Sequence, residues 1–239
     1  MKIWFMMNTS ANSNDILIIK DLTKIYHTND NLTIKDGEFV AIVGPSGCGK
    51  TTLLSILCGL EKKSGGDIIF PEKELTMGYM LQNDTLFPWL NILDNSLLGL
   101  KVKKMINKKN TDKVLNLLET YGLKDFIKKN PNNLSGGMRQ RVALIRTLAT
   151  NPDILLLDEA FSALDYQTRL IVSDDVWQII KKEKKTTIMI THDIAEAISM
   201  ADRVVVLTGR PSKVKCIYNI EMQNKSSPIN NRNQPEFRK

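Results

Sequence analysis

A glycine-rich segment at residues 44–51 has the residue types and spacing needed to bind phosphate. It reads Gly-Pro-Ser-Gly-Cys-Gly-Lys-Thr, comes directly after the apolar run Phe39–Val43 and precedes a stretch of helical period. Glycines allow consecutive backbone N–H groups to converge on phosphate oxygens, and the start of the following helix adds a partial positive charge. Lys50 can then bridge the β- and γ-phosphates, and the Thr51 hydroxyl can bind Mg²⁺.

The alternative is a glycine-rich turn that binds nothing, which the strand before it and the helix after it disfavour. We therefore predict a nucleotide-binding loop. The residues predicted to bind the nucleotide here are Gly44, Pro45, Ser46, Gly47, Cys48, Gly49, Lys50, Thr51 and Thr52.

Two adjacent acids follow another apolar run. Ile154–Leu157 has the length of a strand, and Asp158 and Glu159 come directly after it. A strand buried on both faces has no reason to end in two carboxylates unless they emerge at the carboxyl edge of the sheet, where ligands bind in open α/β folds. There, Asp158 is suited to hold Mg²⁺ through water, and Glu159 to polarise the water that attacks a γ-phosphate. The alternative is that one of the two acids only caps the next turn.

Apolar runs of strand length alternate along the chain with longer segments of helical period. The predicted strands are Ile16–Ile19, Phe39–Val43, Ile154–Leu157, Thr187–Thr191 and Val204–Leu207. The predicted helices are Lys50–Cys58, Met138–Ala149 and Thr168–Lys182. This alternation predicts a doubly wound α/β fold that brings the loop and the two acids to one edge of a parallel sheet.

The composition excludes several classes of protein. Of the 239 residues, 42% are hydrophobic and 25% are charged, with a formal net charge of +7, which excludes wholesale disorder and fibrous repeats. A membrane-spanning helix needs about 20 predominantly apolar residues, and no apolar run here approaches that length. The 3 cysteines have no CxxC spacing and there are only 2 histidines, so neither a disulfide framework nor a zinc site is expected. We expect a cytosolic protein.

Two segments depart from the alternating pattern. Residues 83–134 contain no run that predicts a strand, are rich in lysine, and have one amphipathic helix predicted at Asp112–Gly122. We interpret them as a mainly helical insertion. The stretch Met222–Lys239 is polar and rich in Asn, and it is predicted to be a loose tail.

A further motif resembles that of a known family. Residues 134–141 read Leu-Ser-Gly-Gly-Met-Arg-Gln-Arg, which is similar to the signature motif of the ATP-binding-cassette (ABC) ATPases. Gln82 resembles the Q-loop glutamine of that family, Asp165 the aspartate of its D-loop, and His192 its switch histidine, all in family order. The resemblance covers about residues 15–220. It implies an α/β fold of the P-loop NTPase (RecA-like) type with a mostly parallel sheet and a small N-terminal antiparallel β part.

The resemblance also implies a domain organisation. The ABC ATPase domain would comprise residues 15–220, with a helical subdomain at about 83–149 inserted between the Q-loop and the signature motif. Residues 1–14 would form a flexible N-terminal leader, and residues 221–239 a polar C-terminal tail.

The family's sites are shared between two copies of the chain, packed head to tail about a twofold axis. Ser135, Gly136 and Gly137 would offer a hydroxyl, N–H groups and a helix dipole to the γ-phosphate of ATP bound to the second copy. Asp165 would work across the same interface. The resemblance thus implies a second copy of the chain as a partner.

The remaining roles also come from the resemblance. His192 would contact the γ-phosphate, and Gln82 would reach Mg²⁺ and the attacking water. Tyr26 resembles the family aromatic that stacks on adenine, but only 11 residues separate it from Gly37, so ordinary packing is the alternative for this side chain. The implied ligands are ATP and Mg²⁺. The implied catalytic residues are Glu159, His192, Gln82 and Lys50, and the implied metal-binding residues are Thr51, Gln82 and Asp158.

The residues after Gln82 resemble one branch of the family. The cluster Phe87-Pro88-Trp89 and the segment Thr208–Val214 are similar to the nitrate, sulfonate and taurine importers of bacteria. The aromatic cluster fits a groove where a membrane subunit docks, and the alternative is a lid over the subdomain's own small core. This branch implies an ATPase on the cytoplasmic face of the membrane. Its partners would be integral membrane permease subunits and, through the complex, a solute-binding protein.

Two other functions compete with this interpretation. The positive charge is compatible with a soluble ABC-type ATPase that acts on nucleic acid or the ribosome, and a different ABC transporter branch is also possible. Against the first, no long coiled-coil insertion separates Gln82 from Ser135, the chain has one cassette, and the basic charge lacks interleaved aromatics. We therefore expect no nucleic-acid partner.

Overall fold

The computed structural model describes residues 14–23, 31–70 and 75–238, which form two β-sheets and the helices around them. The strands are β1 (Asp15–Thr23), β2 (Asn31–Lys35), β3 (Phe39–Val43), β4 (Gly65–Ile69), β5 (Met77–Met80), β6 (Ile154–Asp158), β7 (Thr186–Ile190), β8 (Arg203–Leu207) and β9 (Val214–Asn219). The α-helices are α1 (Lys50–Leu57), α2 (Ile92–Val102), α3 (Lys108–Thr120), α4 (Gly136–Ala149), α5 (Tyr166–Lys182), α6 (Ile194–Met200) and α7 (Pro228–Arg232).

The larger sheet has the strand order β5-β6-β7-β3-β8-β9 and is parallel except for β9. The register aligns the carboxyl ends of its central strands, because Ile190 pairs with both Ile42 and Asp158. The loops that follow β3, β6 and β7 therefore leave the sheet side by side. The phosphate-binding segment and the two acids lie at these strand ends, as the alternating pattern predicts, and His192, two residues after β7, joins them.

The smaller sheet has the order β2-β1-β4 and is antiparallel. Its buried residues pack with α1 against one face of the larger sheet, where Val40 and Ile42 of β3 point. Phe39 and Ala41, which alternate with them, point to the opposite face and pack against α4, α5 and α6. The expected mostly parallel core with a small antiparallel part is confirmed.

The segment between β5 and β6 is helical. It contains α2, α3, α4 and two short 3₁₀ turns, and α2 packs against α4. The side chains of Asn91 and Asn107 cap α2 and α3 by accepting the backbone N–H groups of Asp94 and Asn110. The helix predicted at Asp112–Gly122 begins four residues earlier, because its amphipathic stripe does not mark the polar first turn. Among the described residues, no helix is both long enough and apolar enough to span a bilayer.

The prediction of a loose tail at Met222–Lys239 was wrong for the part that the structure describes. Helix α7 packs against α5 and α6, and Asn231 within it is fully buried. The Asn231 side-chain amide donates to the carbonyl of Ser199 (2.8 Å), and the Ile229 N–H donates to the Asp174 carboxylate (3.0 Å). Polar composition misled the prediction, because here the polar side chains hydrogen-bond to the domain surface.

A second anchor of the tail is Asp202, which precedes β8. Burial alone would raise the pKa of Asp202, but hydrogen bonds from the Lys225 ammonium (2.6 Å) and the Phe39 N–H (2.9 Å), together with Lys181 (3.1 Å), lower this pKa overall. The carboxylate thus joins the start of β3, the end of α5 and the tail.

Candidate functional site

The phosphate-binding segment lies between the end of β3 and the start of α1. Gly47 and Gly49 have φ angles of 75° and 102°, a region that glycine enters without strain, and Gly49 is the N-cap of α1. Lys50 is only 6% exposed, and its ammonium donates to the carbonyl oxygens of Gly44 (2.9 Å) and Pro45 (3.1 Å). The loop therefore curves around a cation at a helix N-terminus, which suits a polyphosphate.

The other residues of this loop differ in exposure. Pro45 and Ser46 are exposed, Thr52 is half-buried and Cys48 is buried. A Cβ at Gly44 would lie 3.1 Å from both the Leu207 Cβ and the Cys48 Sγ, so the loop leaves β3 in a space that only glycine fits comfortably.

Asp158 at the end of β6 is buried and accepts two side-chain hydrogen bonds. Its Oδ1 accepts from the Thr51 hydroxyl (3.1 Å) and its Oδ2 from the Tyr79 hydroxyl (2.8 Å). Burial, with the hydrogen bond to Asp158, raises the pKa of Tyr79, so this hydroxyl keeps its proton. Thr51 and Asp158 thus place two hard oxygen ligands side by side, a pair that fits Mg²⁺.

A metal at this pair would take its other ligands from phosphate and water. Among the described residues there is no group of three His, Cys, Asp or Glu side chains that could hold a metal ion. Two protein oxygens next to a phosphate loop are what an ion shared with a nucleotide requires. The chemistry of the donors therefore fits the expected ion.

Glu159 and His192 meet at the same edge of the sheet. The Glu159 Oε2 lies 3.2 Å from the His192 Nδ1. Glu159 has a φ of 45°, a left-handed conformation that is unfavourable for a side chain of this kind, and its N–H donates to the Ile190 carbonyl (2.9 Å). The bond to the neighbouring strand holds this turn and turns the carboxylate towards His192, which is itself largely exposed.

Gln82 follows β5, and its amide donates to the Ser162 hydroxyl (3.2 Å). The Ser162 hydroxyl donates in turn to the Glu159 carbonyl (2.9 Å). Gln82 is therefore joined to the loop of Glu159. The other two residues predicted to bind the metal ion, Thr51 and Asp158, are bonded to each other.

The signature residues lie at the start of α4. Ser135 is exposed and is the N-cap of the helix, since its hydroxyl accepts the Met138 N–H (3.3 Å). Gly137 is buried, and a Cβ there would come within 2.6 Å of the Val172 Cγ2 on α5. Gly136 would place a Cβ 3.0 Å from the end of a leucine side chain. The glycines let α4 approach α5 while its N-terminus faces solvent.

Asp165 caps α5 by accepting the Thr168 N–H (3.1 Å), and the Thr168 side chain, together with this N–H, lowers the pKa of Asp165. Arg169, which sequence reasoning missed, donates to the Leu164 carbonyl (2.9 Å) and lies 3.7 Å from the Asp193 carboxylate. It thereby links the loop of Asp165 to the residue after His192. Its position four residues after a helix cap was the available signal.

A second missed set joins the Q-loop to α4. The Arg139 Nε donates to the Asp84 carboxylate (2.9 Å), and an Arg139 Nη donates to the Leu134 carbonyl (2.9 Å). Arg146 donates to the backbone carbonyls of Asp84 (2.8 Å) and Thr85 (2.9 Å). Two arginines of the signature helix therefore hold the segment that follows Gln82. Nothing in the sequence indicated these pairs, because they span more than 50 residues.

The aromatic cluster after Gln82 lies on the surface. The rings of Phe87 and Trp89 stack with centroids 5.0 Å apart, and Trp89 is 71% exposed. The side chain of Asn95 holds this turn through the Phe87 N–H (2.8 Å) and carbonyl (3.1 Å), and Asn130 donates to the Pro88 carbonyl (3.0 Å). Such exposure is unlike a lid over a core. Tyr26, the predicted adenine-stacking residue, lies outside the described residues.

These features define a P-loop nucleoside triphosphatase. Comparison with known proteins narrows the class, because the profile of the family described as "ABC transporter" matches residues 27–162. The uncharacterized ABC transporter ATP-binding protein YtlC of Bacillus subtilis is 46% identical over 207 residues, covering 84% of this chain and 80% of that protein. The chain therefore belongs to the ABC transporter family, as an ATP-binding subunit that hydrolyses ATP.

Other relatives differ in the transport system that they serve. The aliphatic sulfonates import ATP-binding protein SsuB of Bacillus licheniformis is 39% identical over 207 residues (83% of this chain, 80% of that one). The spermidine/putrescine import protein PotA of Pasteurella multocida is 38% identical over 214 residues (84% and 58%). The dimeric post-hydrolysis cassette MJ0796, bound to ADP and Pi, has a TM-score of 0.69 and 30% identity (87% and 100%).

Proposed function

We propose that this chain is the ATPase subunit of a bacterial importer that takes up a small anion, such as a sulfonate, nitrate or taurine, through separate membrane subunits. The likeness to SsuB supports import of this class of solute, and the likeness to PotA supports import in general. The protein would act at the cytoplasmic face of the membrane, with the solute delivered to the complex by a binding protein.

The roles of the residues at the strand ends follow from their chemistry. The loop N–H groups and Lys50 bind the β- and γ-phosphates, while Thr51 and Asp158 hold Mg²⁺, Asp158 through water. The ion, when bound, neutralises charge that develops on the phosphate oxygens. Glu159 takes a proton from the attacking water, and His192 contacts the γ-phosphate. The bond between Glu159 and His192 supports this assignment, because it directs both groups to the same point.

Gln82 reports the state of the site to the membrane subunits. Its hydrogen bond to Ser162 connects it to the Glu159 loop, and the aromatic cluster begins five residues later. A change at Glu159 would therefore move the segment that we assign to docking.

Two copies of the chain complete each ATP site. Ser135, Gly136 and Gly137 of one copy bind the γ-phosphate held by the other, and Asp165 lies across the interface. The exposed N-terminus of α4 and the dimeric form of MJ0796 support this arrangement.

The observation that carries the transport function is the exposed stack of Phe87 and Trp89. A large aromatic that is 71% exposed, on a turn fixed by Asn95 and Asn130, is costly to leave in water and typical of a binding surface. A short apolar helix of a membrane subunit is the partner that fits, because the cluster lies directly after the Q-loop.

Substitution of Trp89 by alanine tests this function. The variant is tested in membranes that contain the permease subunits encoded by the neighbouring genes. We expect Trp89→Ala to reduce both its co-purification with these subunits and the uptake of solute by about 10-fold or more, as for a residue that anchors an interface. ATP hydrolysis by the isolated variant should stay unchanged. Leu60→Ala is the matched control, since Leu60 is also 69% exposed but follows α1 instead of the Q-loop.

Two outcomes would contradict the proposal. Full uptake by Trp89→Ala would remove the aromatic stack from the docking surface. Co-purification of the wild-type chain with nucleic acid or ribosomes, and not with a permease, would favour the competing soluble ATPase.

A further inference from the structure

Three polar side chains form a chain of hydrogen bonds between α1 and the strands β5 and β6. The Thr51 hydroxyl donates to one oxygen of Asp158, and the Tyr79 hydroxyl donates to the other. Both oxygens of a carboxylate that is only 5% exposed therefore have partners on different elements.

We propose that Tyr79 is a positioning residue that fixes the orientation of the Asp158 carboxylate for metal binding. This inference rests on the proposed role of Asp158 as a metal-binding residue. A carboxylate rotates about its terminal bond unless a partner holds it. With Oδ2 held by Tyr79 at 2.8 Å, Oδ1 is directed to the Thr51 hydroxyl, which is the other proposed ligand. Partners of this kind orient the groups that hold a metal.

The hydroxyl of Tyr79 is not needed for strand pairing. Strands β5 and β6 are already joined by a parallel ladder from Met77–Ile154 to Met80–Leu157. The ring of Tyr79 packs against a hydrophobic cluster, a position in which phenylalanine would fill the same space. The oxygen atom itself contacts Asp158, so its chief effect is on that carboxylate.

The test is Tyr79→Phe, with Mn²⁺ as a paramagnetic substitute for Mg²⁺. Mn²⁺ binding to the protein–ADP complex is measured by electron paramagnetic resonance, which does not depend on turnover. We expect the Mn²⁺ dissociation constant to rise about 10-fold or more, the effect of losing one hydrogen bond to a charged group that positions a metal ligand. The affinity for ADP in EDTA should match that of the wild type, whereas the midpoint of thermal unfolding should fall by about a few degrees, because the buried Asp158 carboxylate loses one hydrogen bond.

The matched control is Tyr121→Phe, because the Tyr121 hydroxyl is buried but has no hydrogen-bond partner among the described residues. It should leave Mn²⁺ binding unchanged. An unchanged Mn²⁺ constant in Tyr79→Phe would overturn the inference. So would a parallel loss of metal-free ADP binding, which would indicate a purely structural hydroxyl.

Asp158→Asn separates this inference from the function on which it rests. If Asp158→Asn weakens Mn²⁺ binding and Tyr79→Phe does not, only the role of Tyr79 is wrong. If Asp158→Asn also leaves Mn²⁺ binding unchanged, the proposed metal site itself is wrong.

Discussion

Two regions carry the proposed ATP chemistry, and they are built in different ways. The strand-end cluster follows three neighbouring strands, and its members are bonded to one another, to the sheet or to the phosphate-binding loop. The signature end is a single helix start whose serine is exposed and, among the described residues, hydrogen-bonded only within the first turn of its helix. The strand-end cluster comprises Lys50, Thr51, Asp158, Glu159 and His192, and the signature end comprises Ser135, Gly136 and Gly137.

The difference shows what each region requires. In the strand-end cluster, Lys50 and Asp158 are both almost fully buried, so the cluster is oriented by its own chain. At the signature end, glycines bring α4 against α5 and leave the helix N-terminus open to an anion. The strand-end cluster is held in place by contacts within one chain, whereas the signature end leaves its helix N-terminus exposed. This difference fits an ATP site to which two copies of the chain contribute.

The largest effect is expected from removing Glu159, the proposed proton acceptor of the strand-end cluster. Glu159→Gln keeps the shape and the neighbours of the side chain but loses the basic oxygen. We expect ATP hydrolysis to fall about 10³-fold, within the range for a general base. ATP binding should remain, so ATP-bound dimers should accumulate, and phosphate release and light scattering after size exclusion measure the two effects.

The control for this variant is Glu61→Gln, an exposed glutamate in the loop after α1, which should hydrolyse ATP like the wild type. Retained hydrolysis in Glu159→Gln would refute the assigned base. Loss of ATP binding together with turnover would mean that Glu159 mainly holds the strained turn at its own φ of 45°.

A smaller loss is expected from blocking the signature end. Ser135→Arg places a long side chain where the γ-phosphate of the second copy should lie. We expect hydrolysis to fall about 10²-fold, comparable to the loss of one transition-state hydrogen-bond donor, while ATP still binds to the monomer. Equilibrium binding of a fluorescent ATP analogue and phosphate release distinguish the two steps.

Mixing two inactive variants makes the comparison sharper. In a dimer of Ser135→Arg with Glu159→Gln, one site has both defects and the other has neither. Random pairing of two such chains should therefore restore about a quarter of the wild-type rate, if each site works alone. No recovery at any mixing ratio, with heterodimers shown to form, would contradict a site divided between copies.

Much of this fold is predictable from local patterns. Phe39–Val43 is a strand with the predicted bounds, because a run buried on both faces is uniformly apolar. The short strand Met77–Met80 escaped prediction, since it lies at the sheet edge with a glycine inside it. The tail was mispredicted because its polar composition indicated exposure to solvent. Asn231 is polar, yet its contacts with the domain bury it completely.

The candidate site divides in the same way. A motif names residues that are close in sequence, so the phosphate loop and the acids after β6 could be predicted from the sequence. The bonds of Asp158 to Tyr79, and of Arg139 to Asp84, join residues 79 and 55 positions apart. Such pairs depend on how the sheet and the helical segment are arranged, which local patterns do not contain.

The smallest effect is expected at the contact that places the signature end. A methyl group at Gly137 would come within 2.6 Å of the Val172 side chain, so Gly137→Ala must push α4 from α5. We expect a loss of about 1–3 kcal/mol in the free energy of unfolding and a severalfold slower hydrolysis, with ATP binding to the monomer unchanged. Gly136→Ala is the control, because its Cβ would meet the end of the Leu164 side chain at 3.0 Å and the Arg139 guanidinium at 3.9 Å, and it should cost less stability. Chemical unfolding curves of the two variants measure the difference.

Equal stability of both variants would mean that the spacing of α4 and α5 does not depend on Gly137. The signature end would then be positioned by the arginine contacts to Asp84 instead.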